Sequence, residues 1–237
     1  MTAQGVLILV PAPINTLSPE FSLPETTGNA LLSANIIVAE HLKNARRLMK
    51  NLNPAVDFNQ YQFFVINRKR GNEYEKEIIN LLLSEKRVAL LSDAGMPSIA
   101  DPGASLVLKA HEHRIKVVPA VGPSSFFLAL AGSGLNGQSF CFHGYLPHDT
   151  SAKRKKILQM EKAAVGFGQT QLFMETPYRN QSVIKTALET LHPNTLFCVA
   201  AGITNPDEFI ETRTVKAWKG FNFKKLNKIP AVFLIGA

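Results

Sequence analysis

Two rhythms of apolar and polar positions alternate along the chain. Short runs rich in β-branched and aromatic residues, at 6–10, 36–39, 62–66, 88–91, 116–118, 140–142, 171–174, 195–200, 209–214 and 231–235, read as strands. Between them, at 30–33, 41–52, 73–84, 104–113, 124–131, 152–162 and 180–191, apolar residues recur every three to four positions and predict helices, the first weakly marked. Strands separated by helical patterns of about 10–15 residues imply βαβ units and a mostly parallel sheet covered on both faces. The last three strands have little helix between them, which predicts antiparallel pairing and a second, mixed sheet. The turn-rich stretch 119–123 marks the break. The expected organisation is an N-terminal α/β domain over 1–120 and a C-terminal α/β domain over 121–237. Residues 117–135 carry no charge, but Pro119, Pro123, Ser124 and Ser125 interrupt them. The apolar helix left over is about ten residues long, half of the roughly 20 that a bilayer requires, so no membrane span is expected.

In parallel α/β sheets, sites are built at the carboxyl ends of the strands. Four of these ends carry unusual chemistry: Val10 runs into Pro11-Ala12-Pro13-Ile14-Asn15, Leu91 into Ser92-Asp93-Ala94-Gly95-Met96-Pro97, Val118 into Pro119-Ala120-Val121-Gly122-Pro123-Ser124-Ser125, and Met174 into Glu175-Thr176-Pro177-Tyr178-Arg179. Glycine admits close backbone approach and proline pre-sets a turn. Such loops offer backbone N–H and C=O groups that suit a purine and an amino-acid moiety. Any one loop is an ordinary strand-to-helix turn; four on one edge point to a ligand.

Composition narrows the class. The 237 residues are 46% apolar and 19% charged, as in a soluble globular protein, and the net charge of +8 points to a polyanionic partner such as nucleic acid. Cys141 and Cys198 form no pairable framework, which fits a reducing cytoplasm. The start, MTAQGVLILVPAP, has no basic region before its apolar run and reads as a first strand, not a signal peptide. The segment 132-GSGLNG-137 satisfies Gly-x-Gly-x-x-Gly, but a helix precedes it, a strand follows and no acid lies 20 residues on, so it reads as a helix end and turn. There is no P-loop and no Gly-x-Ser-x-Gly elbow, so nucleophilic catalysis has no support in the sequence, and the six histidines lack metal-ligand spacing. Basic clusters at 43–47, 68–70, 153–156 and 224–228 are solvated faces or phosphate contacts, and Phe142 and Tyr145 offer stacking to an unpaired base.

The loops, in this order, resemble the tetrapyrrole methylase superfamily of S-adenosylmethionine (SAM) methyltransferases, and within it the small-subunit rRNA ribose 2'-O-methyltransferase family. Residues 92–103 resemble that family's S-D-A-G-T-P-x-I-S-D-P-G, with Met96 for Thr and Ala100 for Ser. Residues 118–125 resemble V-P-x-P-G-P-S-A, 131–135 resemble S-A-S-G-L, 142–147 match F-x-G-F-L-P, and 175–179 match E-S-P-H-R. Asn72-Glu73 falls where the family has an N-E pair. Departures cluster on the substrate side: A-T-P-I-G-N-L is shortened to residues 12–17, A-E-D-T-R becomes Ala39-Glu40-His41-Leu42-Lys43, and R-E-L-T-K becomes Ala201-Gly202-Ile203-Thr204-Asn205.

The resemblance implies two α/β domains with a SAM cleft between them. It implies cofactor contacts from Pro13, Asp93, Ala94, Gly95, Met96, Ile99, Ser124, Ser125, Tyr145, Leu146, Met174, Ala201, Pro230 and Ala231. Asp101 is expected to cap the following helix. Glu73, then Asp93 or Glu175, are the candidate general bases for a ribose hydroxyl. Arg68, Arg70, Lys153, Arg154, Lys155 and Arg179 are the candidate RNA contacts. The implied partner is small-subunit rRNA or the small ribosomal subunit, with a homodimer as the assembly. The alternatives are a tetrapyrrole C-methyltransferase of the same fold, and a non-catalytic RNA-binding relative.

Overall fold

A computed structural model describes residues 5–14, 22–66 and 74–237. The chain divides into two compact units, Met1–Ser124 and Ser125–Ala237. In the first, β1 (Val6–Val10), β2 (Ile36–Ala39), β3 (Gln62–Val65), β4 (Arg87–Leu91) and β5 (Lys116–Pro119) form one sheet in the order β3-β2-β4-β1-β5. Every pairing in it is parallel. Helices α1 (Glu25–Leu32), α2 (Leu42–Leu52), α3 (Glu75–Leu83) and α4 (Ala104–Glu112) connect the strands.

The apolar runs are continuous because both faces are covered. Leu7, Leu9, Ile36, Val38, Val88 and Leu90 point to one side, against Ile78, Ile79 and Leu82 of α3 and Leu106 and Ala110 of α4. Ile8, Val10, Ile37, Ala39, Ala89 and Leu91 point to the other, against Leu31 of α1 and Ala45, Leu48 and Met49 of α2.

The second unit is a mixed five-stranded sheet of order β6-β7-β10-β8-β9. Its elements are α5 (Ser125–Ser133), β6 (Phe140–Tyr145), α6 (Thr150–Phe167), β7 (Thr170–Glu175), α7 (Asn180–Thr190), β8 (Leu196–Ala201), β9 (Phe209–Thr214) and β10 (Ala231–Gly236). Only β6 and β7 pair in parallel; β7–β10, β10–β8 and β8–β9 are antiparallel. The last strand in sequence is central in the sheet. Phe233 on it stacks between Phe173 at 5.3 Å and Phe197 at 6.0 Å, ring centre to ring centre. α6 and α7 bury Ile157, Met160, Val183 and Ile184 in the same core.

Three details differ from the sequence expectation. α1 begins at Glu25 rather than residue 30. α6 runs on to Phe167, with Asp149 as its N-cap accepting from Ala152 N at 2.8 Å and left-handed Gly168 at its end. Asp101 does not cap α4. That position belongs to Gly103 at φ 128, where an added Cβ would sit 2.7 Å from Leu90 Cδ2. At 132–137, α5 ends at Ser133 and Gly134 turns the chain at φ 70. No helix among the described residues is long and apolar enough to cross a membrane.

Candidate active site

In the first unit, the carboxyl ends of β1, β4 and β5 are knitted together by main chain. Ala12 N donates to Gly95 O and Gly95 N donates to Ala12 O, both at 2.9 Å. Gly95 reaches that position at φ 73, a conformation that favours glycine. Ser92 Oγ, buried, donates to Gly95 O at 2.9 Å and closes the turn from inside. The loop after β5 joins them: a Cβ on Gly122 would meet the Pro11 ring at 2.2 Å, and Thr27 Oγ1 of α1 donates to Val121 O at 2.7 Å. Ser98 and Ala100 hold left-handed φ values of 69 and 62, conformations non-glycine residues adopt at a cost of about 1–3 kcal/mol and typically at functional sites.

Asp93 and Ala94 are exposed at the tip of the turn, while the buried hydroxyls of Ser98 and Ser124 have no hydrogen-bond partner. A buried hydroxyl without a partner is costly. An adenosine or amino-acid moiety at this edge would satisfy it. The residues present fit SAM in that respect.

β2 and β4 are neighbours in register, with Ala39 opposite Leu91. Two residues beyond that pair on each strand stand His41 and Asp93, and His41 Nδ1 lies 2.5 Å from Asp93 Oδ2. A carboxylate only accepts, so Nδ1 is the donor in this contact. The His41 side chain is 65% exposed and that of Asp93 34%, so the pair is reachable from solvent. Sequence reading missed His41, because its partner is 52 residues away; its place in the altered A-E-D-T-R motif was the one available signal.

In the second unit, the implied residues share one edge of the sheet. Tyr145 is opposite Met174, and Ala231 stands between Glu175 on β7 and Ala201 on β8. Gly202 N donates to Pro230 O at 2.9 Å, tying the loops after β8 and before β10. Tyr145 is exposed, and Leu146 and Ala201 are buried beneath that edge. Glu175 is 4% exposed and fully engaged: Oε1 accepts from Thr176 N at 2.8 Å, and Oε2 is ion-paired with Arg179 at 2.9 Å, off the hydrogen-bond axis. Arg179 Nη1 also donates to His148 Nδ1 at 2.5 Å. Both groups are therefore tied into the framework.

Glu73, Arg68 and Arg70 lie outside the described residues. Lys153 does not belong to a solvated basic face: α6 turns it inward and it is 3% exposed. Arg154 is exposed and pairs with Glu189 at 2.8 Å, and Lys155 is exposed. Burial pushes the Cys198 thiol up to about 11, so it is not a nucleophile at neutral pH. Among the described residues no group of His, Cys, Asp and Glu is placed to hold a metal ion.

Comparison with known proteins gives the same picture. The tetrapyrrole (corrin/porphyrin) methylase family matches residues 23–218. Ribosomal RNA small subunit methyltransferase I of Buchnera aphidicola subsp. Schizaphis graminum is 32% identical over 212 residues, 89% of this chain and 70% of the relative. The protein of the same name from Vibrio cholerae serotype O1 is 30% identical over 206 residues, 87% of this chain and 67% of the relative. Among solved structures, the methyltransferase CobJ superposes with a TM-score of 0.58 at 17% identity, covering 99% of this chain and 94% of that one, a likeness of fold alone.

Proposed function

Because the chain belongs to the tetrapyrrole methylase family, we propose that it transfers a methyl group from SAM to a ribose 2'-hydroxyl of small-subunit ribosomal RNA. One observation carries the reading: the Ser92–Pro97 turn, locked to Ala12 by two 2.9 Å bonds, presents Asp93 and Ala94 to solvent beside His41. Bound SAM would supply an electrophilic methyl group on a sulfonium.

The chain's own residues do the rest. In the first unit, the main chain from Asp93 to Met96, Pro13, Ile99 and the hydroxyl of Ser124 hold the donor; Ser125, Tyr145, Leu146, Met174, Ala201, Pro230 and Ala231 are the further contacts that the family resemblance implies. Asp93 accepts the Nδ1 proton of His41 and so fixes the tautomer in which Nε2 takes the hydroxyl proton. Glu175, with both oxygens engaged, is poorly placed to act as base. Glu73 is the remaining carboxylate candidate. Holding hydroxyl and methyl in line is worth several kcal/mol, up to about 7–11 for ideal alignment.

Free thiols at Cys141 and Cys198 suit the cytoplasm, and the family resemblance suggests a homodimer. Tritium transfer from labelled SAM tests the function. Label entering the ribose of rRNA in small ribosomal subunits supports it; label entering a uroporphyrinogen-type macrocycle instead overturns it in favour of C-methylation, and no transfer to either favours a non-catalytic relative.

A further inference from the structure

Away from the strand-end edge, the second unit carries a groove of ≈700 Å³ between α7 and residues 218–224. Its floor is aromatic. Trp218 is fully buried, and Phe221 and Phe223 are half-buried against it at 5.0 and 5.4 Å. Arg213 braces the cluster, 4.9 Å above Trp218 and 5.2 Å from Phe221, and is itself paired with Glu211.

Its rim is cationic: Lys185, Lys219 and Lys224 are all exposed. Beyond Glu211 the chain has six cations, Arg213, Lys216, Lys219, Lys224, Lys225 and Lys228, and no Asp or Glu. Among the described residues none of Lys216, Lys219, Lys224 and Lys225 forms an ion pair. The carboxylate lining the groove, Glu189, already has Arg154 at 2.8 Å and Lys185 at 3.9 Å.

We propose that this groove binds a single-stranded segment of RNA, with phosphates on Lys185, Lys219 and Lys224 and bases against Phe221 and Phe223. The inference rests on the reading that the methyl acceptor is RNA, and names where that substrate is held outside the reacting edge. Partly exposed aromatics beneath exposed lysines, of which Lys219 and Lys224 form no ion pair, match what single strands require, since a base stacks on a ring while a phosphate meets a cation. A duplex hides its base faces and has no use for the floor. A second copy of this chain fits poorly, because a two-fold contact would set lysine against lysine.

The groove also leads from the reacting edge. α7 begins directly after Arg179, and Asn180 Nδ2 donates to Ile229 O at 2.6 Å, just before Ala231 of that edge. From Gln181 to Glu189 the helix rises about 12 Å, room for three or four stacked nucleotides at ~3.4 Å each.

Trp218 is the chain's one tryptophan, so its emission reports on this groove alone. An unlabelled single-stranded 12-nucleotide RNA is titrated into the full chain while Trp218 emission is followed, with anisotropy of the labelled oligonucleotide in parallel. A saturable change in Trp218 emission is expected at the same midpoint as the anisotropy. Lys219→Glu with Lys224→Glu, two exposed positions that leave the core intact, should weaken binding at least tenfold. It should also flatten the slope of log affinity against log salt by about 1.4, two phosphates at ~0.7 each. Phe221→Leu should weaken binding roughly fivefold or more.

Anisotropy that rises while Trp218 stays silent overturns the groove, as does unchanged affinity in the charge-reversed protein. A response to polyglutamate and not to RNA overturns it in favour of an acidic protein partner. Methyl transfer to small subunits, measured on the same preparation, separates the two readings: transfer with a silent Trp218 sinks the groove alone, whereas transfer to a macrocycle sinks the RNA substrate and the groove with it.

Discussion

His41 stands where the related motif has an acid, and the exchange changes what the neighbouring Asp93 can do. A carboxylate in that turn would act alone as a weak base; hydrogen-bonded to an exposed imidazole, it orients a better one. His41→Gln should lower turnover by about 10²–10⁴-fold while SAM affinity, measured by calorimetry, stays within a factor of about two. Asp93→Asn should lower turnover and alter the ¹⁵N signature of the His41 ring, since the fixed tautomer is lost. Full turnover in His41→Gln, together with its loss in Glu73→Gln, would move the base to Glu73. Gly103 is a residue of a different kind. At φ 128, an added Cβ would meet Leu90 Cδ2 at 2.7 Å and Ser98 Oγ at 2.8 Å. Gly103→Ala should cost about 2–4 kcal/mol in urea unfolding, combining backbone strain with overpacking.

Elements show where the sequence was readable. The continuous apolar runs of β1, β2 and β4 announce strands buried on both faces, and they lie within a residue of their expected bounds. α1 is obscured because Glu25-Thr26-Thr27-Gly28-Asn29 favours no helix by itself. It forms because Thr27 anchors it to Val121 O, and because Gly28 lets Leu52 of α2 pack within 3.1 Å of where a Cβ would be. β6 runs past its expected end at Phe142 through an irregularity in register and left-handed Gly144, to reach Tyr145.

That extension carries His143, whose Nε2 lies 2.7 Å from Gln171 Oε1 on β7. Burial pushes the His143 imidazole below its ordinary 6.5, Lys156 pushes the same way, and the Gln171 bond opposes them. The unfolded chain then binds the proton more readily than the folded one. The stability from neutral His143 is complete above the ordinary value and is lost as pH falls below it towards the folded-state value. Urea midpoints of the wild type should therefore fall relative to those of His143→Gln between about pH 7 and pH 5, and the two should run parallel above pH 7. A constant offset across that range would show that His143 titrates alike in both states.

At the scale of the whole molecule, what could be read was local and what could not was long-range. Turn chemistry at 92–103 and 118–125 is written in consecutive residues, so these turns were visible. The pairing of His41 with Asp93 depends on β2 lying beside β4, and the central place of β10 on contacts with strands far back in the chain. Lys153 reads as part of a basic run and is buried by the packing of α6. A ligand that binds only the folded chain stabilises it by RT ln(1 + [L]/Kd), about 2.7 kcal/mol at a hundredfold excess over Kd. For a chain of this size that is a rise of roughly 5–10 °C in Tm. Adenosylhomocysteine should produce such a shift. Ser124→Ala makes the assignment specific, because the two effects of removing the hydroxyl have opposite signs. Without ligand, the variant loses a buried hydroxyl that has no partner, so its Tm should hold or rise. With ligand, it lacks a donor, and the shift should shrink by the equivalent of about 1 kcal/mol. A variant that melts lower without ligand but shifts as far as the wild type would show that Ser124 serves the fold and not the cofactor. No shift in the wild type at millimolar adenosylhomocysteine would remove SAM from this edge altogether.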